Sequence, residues 1–366
     1  MLEGAHIAGC RIESVAGRGG MGIVYRATQL SLGRPVALKL IAPEHAADAD
    51  FRERFQRESR MAAAIDHPNV IPVYEAGEED GRLYLVMRWV AGTDLHKQLR
   101  AHGRMDPARA AGIVNQVAGA LDAAHAAGLV HRDVKPANVL LSGDHAYLAD
   151  FGLTRFANAE TNVTTGGHFL GTVDYMAPEQ FRPGPSDARV DVYALGCVLY
   201  ATLAGRPPFP RETVPQTMSA HLHDPPPQVP HVSAELNRVL HRALAKDPAD
   251  RYPSAGDFGR AALAATEGRS VTEQERSVAR GAAAPTIKRP EPLWSAPEPG
   301  EPPVEELPPV KTYRSRKRPR WLLAPIAGVL AAGAFAVALA GGDDNRVPPP
   351  GSPVSKAEVE RLARAF

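Results

Sequence analysis

The sequence predicts an α+β fold in which a strand-rich stretch comes first, a mostly helical stretch comes second, and one apolar helix stands apart near the end. Three observations carry this reading. Short apolar and β-branched runs punctuated by glycine occupy residues 7 to about 40 and return at 70–74 and 82–88. From Asp94 onward, apolar residues recur at helical spacing instead. Twenty residues from Trp321 to Ala340 then carry no charge, about the length that crosses a ~30 Å hydrocarbon core at ~1.5 Å per residue.

Bulk numbers set the bounds. A chain of 366 residues can hold two domains, or one large domain with appendages. The formal net charge of +1 gives no case for nucleic-acid binding. Cys10 and Cys197 are far apart and share no metal-type spacing, so both are expected as small buried residues in a reducing compartment. His221-Leu222-His223 is not expected to hold a metal. Residues 1–7 lack a basic segment leading into an apolar one, so no secretory signal is expected there.

In chain order, Ile12 to Val15 reads as a strand leading into Gly17-Arg18-Gly19-Gly20-Met21-Gly22-Ile23-Val24. The spacing G-x-G-x-x-G-x-V lets a backbone approach phosphate oxygens that side chains would obstruct, although a plain glycine turn between strands looks the same. A dinucleotide-binding loop needs a helix directly after the glycines; Ile23 to Ala27 reads as a second strand. Val36-Ala37-Leu38-Lys39 ends a third strand on a lysine, either exposed or aimed at a ligand. Phe51 to Ile65 carries a helical stripe of Phe51, Phe55, Met61, Ala62 and Ile65, together with two carboxylates, Glu53 and Glu58. Pro107 to Ala127 places Ile113, Val117, Ala120, Leu121 and Ala124 at helical spacing and reads as core without chemical duty.

The stretch Leu129 to Leu141 sets an aspartate, a lysine and an asparagine on one short loop between apolar runs, with Asp133 and Asn138 five residues apart. That spacing suits a loop presenting a base, a cation and a metal ligand to one reacting centre. Three common residues such as His131-Arg132-Asp133 recur by chance, so the weight comes from two landmarks further along the chain. Asp150-Phe151-Gly152 stands twelve residues beyond Asn138, and Ala177-Pro178-Glu179 places Glu179 twenty-nine residues beyond Asp150. Asp191 to Leu203 is a strongly apolar helix that begins with a carboxylate, a charge the helix macrodipole favours at that end.

On these residues the chain resembles the eukaryotic-like serine/threonine protein kinases, in particular the bacterial membrane-anchored ones. The resemblance implies the two-lobed protein kinase fold over residues 7–268: a small lobe with a five-stranded antiparallel sheet and one main helix, and a larger, mostly helical lobe. It implies transfer of the ATP γ-phosphoryl group to protein serine or threonine hydroxyls, with Mg2+ or alternatively Mn2+. By resemblance, Asp133 accepts or orients the hydroxyl proton, Asn138 and Asp150 hold the metal, and Lys135 neutralises the transferring group. Lys39, fixed by Glu58 rather than by a solvated Glu53, grips the α- and β-phosphates. Gly17, Arg18, Gly19, Gly20, Met21 and Gly22 close over the phosphates, while Val24, Ala37, Met87, Trp89, Val90 and Leu140 surround the adenine. Arg88 departs from the more usual acidic hinge residue, which bears on inhibitor preference because hinge contacts are mainly backbone ones. Asp191 would anchor the loop backbone, and Arg251 would pair with Glu179.

Lys135 two residues after Asp133, together with Thr172, is the serine/threonine arrangement, and the long segment ending in Ala177-Pro178-Glu179 implies a protein acceptor rather than a small molecule. A partner-binding, non-catalytic relative would have lost the lysine, an aspartate or the asparagine; all are present. Thr161, Thr164 and Thr165 are the expected autophosphorylation sites, and Arg132 is placed to pair with a phosphate there. Pairing of two copies through the N-terminal lobe is a further implication.

Composition shifts at about residue 268. Prolines recur with glutamates between Pro285 and Pro309, so 269–320 is expected to be an extended linker that ends in a basic run, Lys311 to Arg320. Residues 321–341 are expected to cross the cell membrane once, with a buried soluble helix as the alternative. The basic residues before the run, against Asp343 and Asp344 after it, orient the catalytic part towards the cytoplasm and the short tail, 342–366, outside. No sensor module is visible in that tail.

Overall fold

The computed structural model describes residues 2–151, 173–182, 184 and 186–269, all within a unit spanning Met1–Arg289. The expectations for the linker from 270, the apolar run and the tail, and for Gly152, Thr161, Thr164, Thr165 and Thr172, lie outside the described residues. Among those residues, no helix is long and apolar enough to cross a membrane.

The first part is an antiparallel sheet of β1 (His6–Ile7), β2 (Cys10–Gly19), β3 (Gly22–Gln29), β4 (Arg34–Ile41), β5 (Val73–Glu79) and β6 (Arg82–Arg88), ordered β1-β2-β3-β4-β6-β5. Six strands replace the expected five. The extra one arises because Ala8 and Gly9, both at positive φ (51° and 64°), close a two-residue turn that folds His6 and Ile7 back on Arg11 and Cys10. The strand expected at Val70 also starts later. Ile71 donates to Leu148 O at 3.1 Å and Val70 bridges Leu148, so this stretch pairs with a later part of the chain before the sheet begins at Val73.

Alternation along β4 divides the core of this part. Val36, Leu38 and Leu40 point to one side with Ile12, Tyr25 and Val86; Ala37 and Ile41 point to the other with Phe51, Phe55, Leu85 and Met87. Lys39 shares the side of Ala37. Two helices come after β4, the short α1 (Pro43–Ala46) and α2 (Ala49–Ala63), whose first turn is capped by Asp48 accepting from the Phe51 N–H at 3.1 Å.

The second part is helical: α3 (Leu95–His102), α4 (Pro107–Ala126), α5 (Arg189–Ala204), α6 (Val214–His223), α7 (Ala234–Ala243) and α8 (Ala255–Thr266). A small sheet, β7 (Thr93–Asp94), β8 (Val139–Ser142) and β9 (His145–Leu148), lies against it; of the three, β9 coincides with a run, 146–149, that reads as a strand from sequence. Every residue of α5 from Val190 to Leu203 is buried. Each fully buried leucine or valine there contributes about 1.5–3 kcal/mol, so α5 is the axis of this core and ends at Gly205, φ 76°. Helix α8 approaches α4 so closely that a Cβ on Gly259 would sit 2.8 Å from the Ala118 Cβ.

Candidate active site

The loop after α4 is fixed by one buried carboxylate. Asp191, in the first turn of α5, accepts the His131 N–H at 2.8 Å, the Arg132 N–H at 2.7 Å and the His125 Nε2 at 2.8 Å. Burial pushes its carboxyl up, but the hydrogen bond and charge of His125, with those backbone amides, more than reverse this and hold it below the ordinary carboxylate range. Both sequence-level readings of Asp191, helix-terminal charge and loop anchor, therefore hold at once.

His131 adds a second tie. Its Nδ1 accepts the Asp133 N–H at 3.2 Å, so its Nε2 carries the proton and donates to Ala149 O at 2.9 Å, and its ring lies 4.9 Å from that of Phe151. Ala149 also donates to Asn138 O at 2.9 Å. Two hydrogen bonds thus hold the approach to Asp150 against the 131–138 loop. Two of the four described non-glycine residues at positive φ fall here, Arg132 at 63° and Asp150 at 62°, a conformation that costs about 1–3 kcal/mol and persists where surroundings impose it.

The charged groups converge on this frame. Lys39 Nζ, nearly buried, lies 2.8 Å from Asp150 Oδ1. Burial raises the Asp150 carboxyl, while the Lys39 ammonium and its hydrogen bond lower it further, so the group sits below its usual range and carries its charge. On the loop, Lys135 Nζ reaches Asp133 Oδ1 at 3.0 Å and Oδ2 at 2.8 Å. Asn138 Nδ2 donates to Asp133 O at 2.8 Å and to Oδ2 at 3.1 Å. The amide nitrogen of Asn138 is therefore committed to Asp133, which leaves its oxygen as the atom able to meet a cation. With Asp150 it supplies one amide oxygen and one carboxylate, the sparse oxygen set that Mg2+ takes when phosphates and water complete its shell. Among the described residues no cluster of three or more histidines, cysteines or acidic groups offers an all-protein cage.

The residues expected around the adenine belong to one apolar cluster beneath the sheet: Ala37 and Met87 buried, with Met21, Val24, Trp89, Val90 and Leu140 packed partly buried against it. Register brings Ala37 opposite Met87 and Val24 opposite Lys39. Trp89 is covered by the Arg26 guanidinium at 5.6 Å, and Arg88 reaches over Tyr147 at 5.2 Å. Glu58 is buried on α2 and lines a small cavity with Met87, Asp150 and Phe151, whereas Glu53 is exposed.

The glycines divide into two kinds. A Cβ at Gly17, Gly19 or Gly20 would meet nothing within 4 Å, so their bareness leaves room above the β2–β3 hairpin, whose turn is Gly20-Met21 between the paired Gly19 and Gly22. A Cβ at Gly22 would fall 1.9 Å from Leu40 O, and its φ is 143°. Gly22 is thus demanded by the β3–β4 contact, a reason the phosphate reading did not supply.

Beyond the catalytic loop, Glu179 meets Arg251 through two bonds of 2.7 Å. The remaining donors of Arg251 go to Ala245 O, Arg189 O and Lys246 O, so all five of its N–H groups are satisfied. Gln180, not singled out from sequence, accepts from the Ala177 N–H at 2.9 Å and donates to Arg132 O at 3.2 Å. It ties this segment to the loop bearing Asp133. His125 was missed as well, its one sequence signal being a polar residue inside the otherwise apolar run from Ala123 to Val130, and His131 was read as part of a motif without a role of its own.

Residues 10–259 match the family model described as the protein kinase domain. Serine/threonine-protein kinase PknD of Mycobacterium tuberculosis is 42% identical over 280 residues, 75% of this chain and 42% of the relative. Serine/threonine-protein kinase PknE of Mycobacterium bovis is 43% identical over 280 residues, 75% of this chain and 49% of the relative. The chain spans somewhat under half the length of these curated relatives. The crystal structure of the Mycobacterium tuberculosis PknI kinase domain superposes with a TM-score of 0.57 at 36% identity, covering 72% of this chain and 98% of that one.

Proposed function

This chain belongs to the protein kinase domain family, and from that premise we propose that it transfers the γ-phosphoryl group of ATP to serine or threonine hydroxyls of proteins. The observation that carries the proposal is the 2.8 Å approach of Lys39 Nζ to Asp150 beside a loop on which Asp133, Lys135 and Asn138 interlock.

Phosphoryl transfer asks a protein mainly for positioning and charge neutralisation. Asp133, held by Lys135 and Asn138, orients the acceptor hydroxyl and receives its proton as the hydroxyl oxygen bonds to the γ-phosphorus and the β–γ bridge bond breaks. Lys135 tracks the charge of the transferring group, and Lys39 holds the α- and β-phosphates with Glu58 behind it. The turn of Gly17 to Gly22 covers them, and the cluster of Val24, Ala37, Met87, Trp89, Val90 and Leu140 takes the base. Asn138 and Asp150 would hold Mg2+, or Mn2+ in its place, which supplies neutralisation of the triphosphate oxygens.

A serine or threonine acceptor is supported by Lys135, by Thr172 in the sequence, and by the printed names of the relatives. Self-phosphorylation at Thr161, Thr164 or Thr165, with Arg132 as the partner of the phosphate, is part of the proposal. So is tethering to the cell membrane through 321–341 with the kinase domain in the cytoplasm, which rests on the apolar run and its flanking charges. Pairing through the N-terminal lobe remains an expectation from family resemblance.

The test is labelled ATP with the full chain and a protein acceptor, beside Lys39→Met and Asp133→Asn. Labelling by the unsubstituted chain alone is expected; equal labelling by all three removes the assigned roles. Phosphopeptide mapping of the product should find the threonines between 161 and 165, and labelling confined to the linker would reject that part.

A further inference from the structure

The segment from Val173 to Phe181 packs on α6 through a group of buried polar side chains that phosphoryl transfer does not use. His221, fully buried in the last turn of α6, is surrounded by three rings: Phe209 at 4.9 Å, Tyr193 at 5.7 Å and Phe181 at 6.2 Å. Its Nδ1 lies 2.9 Å from the Tyr193 hydroxyl. Burial, then the nearby Lys246 ammonium, pull its pKa down to about 3, so the ring is neutral and accepts the Tyr193 proton. Lys246 Nζ donates to His221 O at 2.7 Å and Ala220 O at 3.3 Å, and lies 4.3 Å over the Phe209 ring. These are last-turn carbonyls of α6, groups that a helix end leaves in need of donors. Tyr193 also packs with Ala177 and, at the edge, Tyr175, both in the same segment as Glu179.

An apolar contact would fill this space without the penalty of a half-buried ammonium, whose pKa burial draws down to about 8. The Tyr193–His221 bond and the Lys246 bonds to the α6 carbonyls instead favour a single packing, because a shift breaks them and leaves more buried groups unmet; among the described residues, His221 Nε2 is already buried without a hydrogen-bond partner. We infer that Lys246 and His221 are positioning residues for the protein acceptor: by clamping the last turn of α6 against Tyr193 and Phe181, they hold residues 173–181 where an incoming polypeptide would meet Asp133. The inference rests on the protein-kinase reading and assigns part of its acceptor specificity to a cluster outside the transfer site.

The test uses the full chain with dephosphorylated casein as acceptor, comparing Lys246→Met, Lys246→Arg and Tyr193→Phe with the unsubstituted protein. Lys246→Met should raise the KM for casein about tenfold, the size expected for losing one charge-assisted hydrogen bond, while the KM for ATP stays within about twofold. Lys246→Arg should recover most of the loss. Tyr193→Phe, which changes no volume to speak of, should move the casein KM in the same direction by a smaller factor. Amide hydrogen exchange should quicken in residues 173–181 and the last turn of α6, and stay unchanged in 129–141. An unchanged casein KM, an equal rise for ATP, or unchanged exchange in 173–181 would overturn the inference. An unsubstituted chain that labels no protein would instead sink the kinase reading, and the exchange measurement would still decide whether the clamp holds the segment.

Discussion

Two groups of charges in this molecule both set carboxylates against nitrogen donors and are treated differently. Around Glu179 and Asp191 every strong donor and acceptor is consumed: Arg251 places five N–H groups on five oxygens, and Asp191 gathers three donors while fully buried. Around the reacting centre, Lys39 meets Asp150 through a single oxygen and Lys135 straddles Asp133, contacts that an entering triphosphate and its cation can share. The saturated group makes a frame; the less saturated one keeps its capacity for substrate. The difference teaches that an ion pair's partners, more than its presence, separate scaffold from chemistry.

Breaking the comparison on the reactive side should give the largest effect. Asp133→Asn is expected to lower the rate of phosphoryl transfer by about 10²–10⁴-fold, the range for loss of a general base, with little change in the urea unfolding midpoint. On the scaffold side the outcome inverts: Glu179→Gln leaves the buried Arg251 without its charge partner and should cost about 3–5 kcal/mol of stability, read from urea titration. If both substitutions affected stability equally, the division into frame and centre would fail.

The glycines sharpen the same contrast within one turn. Gly22→Ala forces a Cβ onto Leu40 O and should destabilise by about 1–3 kcal/mol, as overpacking does, seen as a lower melting temperature. Gly19→Ala meets nothing and should leave melting unchanged while raising the KM for ATP. The smallest effect, taken per pH unit, concerns His221. Its folded pKa, about 3, lies below its unfolded value of about 6.5, so protonation favours the unfolded chain. Its contribution is level above about pH 6.5 and declines towards pH 3 by up to about 1.4 kcal/mol per pH unit. Comparing urea midpoints at two pH values on that slope, with His221→Gln expected to flatten it, measures the term.

Much of the architecture could be read from residue order. The helix expected from spacing over Pro107 to Ala127 forms over 107–126, where Asp106 accepts from Ala108 and Arg109 as its cap; α5 was announced by its strongly apolar run. The sixth strand was not, because two residues carry no periodicity and only the positive φ of Ala8 and Gly9 reveals the fold-back. Strand β7 of the small sheet was hidden for a related reason: Thr93 and Asp94 are too few to show alternation, and their pairing with Leu141 and Leu140 is distant in sequence. At the site, Lys39, Asp133, Asn138 and Asp150 stood out through spacing, whereas Gln180, His125 and the His221–Lys246 cluster did not. Their partners lie tens of residues away, and a single chain gives no sign of which distant polar groups will meet.

By itself, then, the order of residues determined most of the longer strands and helices and which short loops hold a base, a cation and an amide, since these arise from local sterics and periodicity within a few positions. The tertiary structure alone decided that Lys39 reaches Asp150, that Asp191 pins the loop and that Gly22 must yield to Leu40. Those depend on surfaces brought together by burial of the two cores, and a contact made that way has no counterpart in local spacing.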